Sequence, residues 1–165
     1  MRSRFYFAYG SNLHPSWLRS RVPSAEIVTK LNVPRWKLRF HKAGTDDSAK
    51  CNIIPSDSSE DIIHGVIYEF NAMEQDKLDE VEFGYYTRSM QFGHYKDVLI
   101  YIARDENIND QLLPYSWYRD IVIAGAEYHR FPNDYISFLR SFGASLDPDD
   151  ERDKKYRSII STISE

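Results

Sequence analysis

Apolar and polar positions follow one period in the first two thirds of this chain and another in the last third. Early on, short strand-like runs recur: "RFYFAY" (4–9), "RWKLRFHK" (35–42), "IIHGVIYEF" (62–70), "YYTRSMQF" (85–92) and "VLIYIAR" (98–104). Gly10, Ser11 and Asn12 break the first run, and "HPSWLRSRV" (14–22) reads as a short helix with Pro15 near its first turn. Residues 25–40 read as extended chain interrupted by Pro34. Two polar loops, "GTDDSAK" (44–50) and "PSDSSED" (55–61), flank a short apolar piece, "CNII". The run 62–70 is apolar on both faces, which predicts a buried strand.

Asn71 followed by Glu74 has the spacing of a helix cap with its reciprocal carboxylate. The helix it opens, roughly 72–81, presents Met73, Lys77, Leu78 and Val81 to one side, and Gly84 ends it. Residues 93–97 are a hairpin-like break. Beyond them the period becomes helical, with Trp117, Ile121, Ala124 and Tyr128 in one segment and Tyr135, Phe138, Leu139 and Phe142 in the next. From Asp147 the chain is mostly charged, so a domain over 1–145 and a solvated tail over 146–165, helical at most in part, are expected. Neither an internal repeat nor a linker divides the domain. The pattern predicts α+β architecture: a mostly antiparallel sheet or barrel with a few helices, the longer ones C-terminal.

Composition narrows the field without naming a function. With 165 residues, 42% apolar and 28% charged, a single soluble domain buries about 70% of its unfolded surface and needs no disulfide or metal staple. Twelve tyrosines suggest β-structure or a pocket lined with hydroxyl-tipped rings. A net charge of −4 supplies no global field for nucleic acid or an anionic membrane. The alternating "RWKLRFHK" can bind single strands in principle, but a half-buried strand gives the same pattern and fits the acidic whole better. The single cysteine, Cys51, excludes an internal disulfide and fits a reducing compartment. No long apolar run follows the N-terminal arginines, and none approaches the ~18 residues of a membrane span. A cytoplasmic protein, monomer or homodimer, without nucleic-acid or membrane partners, is expected.

Standard catalytic signatures are missing. The five histidines fall in five separate segments, without the paired spacing of a metal site. No nucleophile elbow, P-loop or dinucleotide fingerprint occurs, so cofactor-free and metal-free chemistry is expected. Cys51 reads as a small buried or strand residue. Three segments remain. "YFAYGSNL" (6–13) places a glycine at a strand end, where successive N–H groups can converge on an anion. "LDEVEFGYYTR" (78–88) gathers Asp79, Glu80 and Glu82 at a helix C-terminal end. The helix dipole and mutual repulsion raise a carboxyl pKa there, although a solvated acidic helix end has the same composition. In the third, 114–132, Tyr118 shares a helical face with Val122 and Gly125.

Together these segments resemble the γ-glutamylcyclotransferase family, which includes the γ-glutamylamine cyclotransferases and AIG2-like proteins. "YFAYGSNL" resembles its N-terminal signature, "DIIHGVIYEF" its central strand, and "LDEVEFGYYTR" its Leu-Asp-x-x-Glu stretch followed by a Tyr. "WYRDIVIAGAEYHRFPNDYISFL" resembles its C-terminal helix, with Phe131 in place of the usual leucine. The four blocks lie in order over residues 6–140. The resemblance implies a small mixed β-barrel flanked by helices, and a reaction that cyclises a γ-glutamyl amide to 5-oxoproline with release of an amine or amino acid.

By that resemblance Glu82 is the general acid/base, Gly10, Ser11 and their neighbours cradle the glutamyl group, and Tyr118 contacts substrate. Tyr6 and Tyr9 join the cradle on the expectation that alternate strand residues share a face; Asn12 contributes to it or holds the turn. Glu82 reaches Tyr86 after only three residues, where many relatives carry an insertion. Tyr86 is therefore assigned to the pocket with Tyr85 as its alternative, and Glu80, then Asp79, are Glu82's rivals. A binding module that keeps the barrel and cradle without turnover is the competing reading.

Overall fold

A computed structural model describes residues 1–162; the last three positions of the charged tail lie outside the described residues. Seven strands form: β1 (Ser3–Ala8), β2 (Glu26–Pro34), β3 (Trp36–Ala43), β4 (Ala49–Pro55), β5 (Ile62–Asn71), β6 (Tyr85–Phe92) and β7 (Tyr95–Ala103). Five of them make a sheet in the order β2-β5-β1-β7-β6, antiparallel throughout except for the β1–β7 pair. β3 and β4 pair with each other as a separate antiparallel ribbon. The α+β class and the mixed, mostly antiparallel sheet follow the expectation, and the piece "CNII" lies within β4.

The closed barrel is a correction: among the described residues the strands do not close. The chain leaves the sheet at Arg35, which takes a left-handed φ of 66° between β2 and β3. The ribbon then folds back toward β7, but side chains rather than a strand ladder span the gap. Asn52 Oδ1 accepts the Ala103 N–H at 2.9 Å, the Tyr85 hydroxyl donates to the Cys51 carbonyl at 2.5 Å, and the Tyr118 hydroxyl accepts the Cys51 N–H at 3.0 Å. Each satisfies a backbone group that a ladder would otherwise have paired. The space so left open is where the site lies.

The five helices are α1 (Pro15–Arg19), α2 (Gln75–Val81), α3 (Ser116–Tyr128), α4 (Asn133–Ser141) and α5 (Asp150–Ile160). α3 buries Trp117, Tyr118, Ile121, Val122, Ile123, Gly125 and Ala126, a wider face than the predicted stripe; Ala124 and Tyr128 are only half-buried. That breadth arises because α3 meets the short 3₁₀ turn Ser11–Leu13 as well as α4 and α5. Gly125 makes the first approach possible: a Cβ there would stand 2.7 Å from both His14 N and Leu13 Cβ. The Leu13 carbonyl also accepts from Tyr68 Oη at 3.1 Å and His129 Nε2 at 2.7 Å. The turn that follows β1 is thus clamped from α3, with its C-cap His129, and from β5.

Two local expectations change. Asn71 Oδ1 does cap the Met73 N–H at 3.1 Å, but Glu74 does not reach back to Asn71. Its Oε2 accepts from the Ser24 hydroxyl at 2.5 Å, and that hydroxyl in turn accepts the Asn71 N–H at 2.9 Å. A residue 47 positions away completes the cap. On α2 only Leu78 is buried, while Met73 and Val81 are exposed.

The charged segment is not a free solvated tail. Asp149 Oδ1 caps α5 by accepting the Arg152 N–H at 3.0 Å, and α5 docks on α3. Arg157 Nη1 donates to Asp120 at 3.0 Å, Trp117 Nε1 donates to buried Asp147 at 2.8 Å, and Tyr156 stacks 4.4 Å from Trp117. Arg157 and Tyr156 meet partners on α3, far away in sequence, which composition alone does not reveal.

Candidate active site

Two connected spaces open between the end of β1, the ribbon and the C-terminal end of α2. The inner recess, about 30 Å³, is walled by Tyr6, Tyr9, Gly10, Asn12, Cys51 and Tyr101. The outer cleft, about 520 Å³, is walled by Trp17, Arg21, Lys42, Lys50, Phe83 and Tyr156 among others. Ser11, Glu82, Tyr85 and Tyr118 line both spaces and mark their junction.

Glu82 stands at that junction because α2 ends there. Its N–H closes the last helical bond, to Leu78 O at 3.0 Å, and Gly84, at a φ of +87°, turns the chain into β6. Its carboxylate Oε1 accepts from Asn12 Nδ2 at 2.9 Å. The same Asn12 nitrogen donates to Tyr6 Oη at 2.9 Å, and Asn12 Oδ1 accepts from Arg21 Nη2 at 2.7 Å. Arg21 in turn lies over the Trp17 ring at 4.7 Å.

Burial raises the pKa of Glu82 above the ordinary carboxylate value. The Arg21 charge, the Asn12 hydrogen bond and the Lys42 charge partly offset that rise. The rival carboxylates are placed differently. Asp79 is exposed and accepts a hydrogen bond from Tyr101 Oη, and Glu80 is an exposed residue on the cleft wall.

Gly10 is required where it stands, since a Cβ would meet Cys51 Cβ at 2.8 Å. Beyond it the first bond of the 3₁₀ turn runs from Leu13 N to Gly10 O at 3.0 Å, so the N–H groups of Ser11 and Asn12 precede any helical acceptor. Tyr6 and Tyr9 both line the recess, but not as alternate residues of one strand. They are three apart, and Tyr9 reaches inward because β1 has already ended at Ala8. The Tyr9 hydroxyl is tied to Tyr101 O at 2.6 Å. Burial raises the pKa values of Tyr6, Tyr9, Tyr85 and Tyr118, so these phenols stay neutral. The Cys51 thiol is pushed up to about 12 by burial and stays protonated.

Tyr86 is corrected. It is 39% exposed and lines neither space, whereas Tyr85 lines both. The register of β6 on β7 decides this, since adjacent strand residues face opposite sides.

The sequence reading missed several wall residues. Arg21 carried a signal, because it follows Trp17 by one helical turn and an i,i+4 aromatic–cation pair was readable. Lys42 carried none: a bulge between Phe40 and Lys42 resets the alternation of β3 and buries Lys42 against the cleft. Arg152 and Tyr156 come from α5, where only solvation was expected.

The chain belongs to the gamma-glutamyl cyclotransferase, AIG2-like family, whose model matches residues 6–120. No curated protein sequence matches it. Among solved structures, a gamma-glutamyl cyclotransferase superposes with a TM-score of 0.75 at 22% identity, covering 95% of this chain and 99% of that one. The uncharacterized protein loc79017 from Homo sapiens gives 0.78 at 23% identity over 98% and 100% of the two chains. YkqA from Bacillus subtilis gives 0.67 at 17% identity, covering 88% of this chain and 57% of its own. At these identities the likeness is one of fold. Among the described residues no helix is long and apolar enough to cross a membrane.

Proposed function

We propose that this chain converts a γ-glutamyl amide to 5-oxoproline and a free amine, with Glu82 as general acid/base. Family membership and a fold of gamma-glutamyl cyclotransferase type support the reaction class. The observation that carries the residue assignment is the Glu82 carboxyl, raised in pKa and oriented by Asn12 where recess and cleft meet.

The substrate's own α-amine is the nucleophile. It attacks the γ-carbonyl carbon and closes a five-membered ring; the original amide C–N bond breaks and its nitrogen leaves as the amine. No enzyme nucleophile is consumed. Holding the chain bent for attack is the main task, and oriented intramolecular reactions reach effective molarities of ~10⁵ M or more. An ionised Glu82 accepts the proton that the α-amine loses and returns it to the departing nitrogen. A raised pKa suits both steps, since the group that takes the proton must also release it. The Ser11 and Asn12 N–H groups are the donors available to the oxyanion or to the substrate α-carboxylate. Neutral Tyr85 and Tyr118 supply hydroxyls without adding charge near the developing oxyanion.

The test is to incubate the protein with γ-glutamyl-alanine and with ε-(γ-glutamyl)-lysine and to quantify 5-oxoproline. Formation by the wild type and not by Glu82→Gln supports the assignment. Full turnover by Glu82→Gln refutes Glu82 as the acid/base, and binding of 5-oxoproline without any turnover favours the binding-module reading.

A further inference from the structure

The outer cleft is walled by four cations, and three of them already have hydrogen-bond acceptors: a carboxylate for Lys50 and for Arg152, and the neutral Asn12 amide for Arg21. Arg21 donates to Asn12 Oδ1 at 2.7 Å, Lys50 Nζ to Asp46 Oδ2 at 2.9 Å, and Arg152 Nη2 to Asp147 Oδ1 at 2.6 Å. Lys42 differs from them. It is only 5% exposed, yet among the described residues its ammonium has no hydrogen-bond acceptor and no carboxylate at ion-pair distance. Nζ lies over the Tyr85 ring, 4.8 Å from its centroid. Burial of the side chain lowers its pKa, and the charges of Glu82 and Asp46 partly offset that fall.

The fold nevertheless holds Lys42 there from two sides. The β3 bulge turns it inward, and Gly84 leaves room for it, since a Cβ on Gly84 would come within 2.8 Å of Lys42 Cε and 3.1 Å of its Nζ. Lys42 lines the outer cleft and not the recess, whereas Gly10 and Asn12 line the recess and not the cleft. Balancing Glu82 is not its distinctive task, because the Arg21 charge and the Asn12 hydrogen bond each lower the Glu82 pKa more than Lys42 does. The cleft's own carboxylates, Asp46, Glu80 and Glu82, make no hydrogen bond or ion pair with Lys42 Nζ, so a direct partner for it has to come from what the cleft binds.

We propose that Lys42 is a specificity-determining residue whose ammonium pairs with the carboxylate of the departing amino acid. The chain then selects γ-glutamyl α-amino acids over γ-glutamyl amines that lack the carboxylate. This inference rests on the cyclotransferase reading above. The glutamyl half engages Glu82 and the β1 turn, and the leaving half extends into the outer cleft, where its carboxylate gives the buried ammonium a charge-assisted partner.

The experiment compares γ-glutamyl-alanine with γ-glutamyl-alaninamide, which differ only in that carboxylate, on the wild type, Lys42→Met and Lys42→Arg, by 5-oxoproline release. The wild type is expected to favour the acid by ~10-fold or more in kcat/KM, mainly through KM. Lys42→Met should lose that preference by falling much further on the acid than on the amide, and Lys42→Arg should retain most of it. A wild type indifferent to the carboxylate overturns the inference. So does an equal loss on both substrates in Lys42→Met, which would assign the ammonium to the glutamyl half or, if the pH–rate profile also moves, to Glu82. Should Lys42→Met fold poorly, the wild-type preference and Lys42→Arg still decide. Turnover of neither substrate by the wild type defeats the reaction itself, and the Lys42 assignment with it.

Discussion

The inner recess and the outer cleft share a wall at Glu82 but are built from different materials. The recess is lined by phenols, an amide, a thiol and one carboxylate, and several of these groups are fixed by backbone contacts: Tyr9 to Tyr101 O, Tyr85 to Cys51 O, Tyr118 to Cys51 N. The cleft is lined by four cations, the carboxylates of Asp46, Glu80 and Glu82, and several rings of which Phe83 is 70% exposed, and part of its wall belongs to α5. The recess falls almost wholly within residues 6–120, the span that matches the family, whereas α5 lies beyond it. On the proposed reading, the recess with its single carboxylate serves the chemical step, and the charged, open cleft discriminates among leaving groups.

The largest effect that tests this division is loss of the proposed acid/base, Glu82. Glu82→Gln should lower turnover by on the order of 10²–10⁴-fold while leaving the circular dichroism spectrum unchanged. A loss confined to KM would move Glu82 from the chemistry to the cleft.

Next comes Arg21, argued to act through Asn12 and Glu82 rather than on substrate. Arg21→Met should cost on the order of 10-fold in kcat. It should also move the acid limb of the pH–rate profile upward, because removing a nearby positive charge favours protonated Glu82. An unshifted acid limb would leave Arg21 with a packing role only.

A smaller effect is one of stability. The folded-state pKa of Glu82 is raised, so its ionisation opposes folding: the stability it contributes is complete below its ordinary value of 4.5 and is lost as pH rises through the folded-state value. Glu82→Gln should therefore melt a few degrees above the wild type at pH 7–8, and the advantage should vanish below about pH 4.5. A variant that melts lower at neutral pH would mean that the Asn12 and Arg21 contacts outweigh burial.

The smallest contrast lies between neighbours. Tyr85→Phe leaves the buried Cys51 carbonyl without its hydroxyl and should cost about 1–2 kcal/mol in denaturant unfolding. Tyr86→Phe, at the surface, should stay within about 0.5 kcal/mol. Equal effects would mean that β6 is in the opposite register.

What was legible in the sequence was local. The strand ending in Gly-Ser-Asn, the buried run 62–70, the Asn71 cap and the helical period of the last third depend on near neighbours, and the structure has each of them. Glu82 was placed at the end of a helix by the same kind of reasoning, and a Trp17–Arg21 pair could have been. Local rules failed wherever a distant partner intervened. Ser24 completes the Asn71 cap, and Asp120 and Trp117 dock the charged segment.

The sequence by itself thus determined the class of fold, the order of the elements and the small set of groups able to perform the chemistry, because period, turns and caps act over a few residues. Only the tertiary structure decided that the barrel stays open, that Tyr85 rather than Tyr86 faces inward, and that a bulge brings Lys42 to the cleft. Each of those outcomes depends on strand register or on a side chain meeting backbone from another part of the chain. Such pairings leave no local pattern, because their energy is realised only when segments far apart in sequence come together and exclude water.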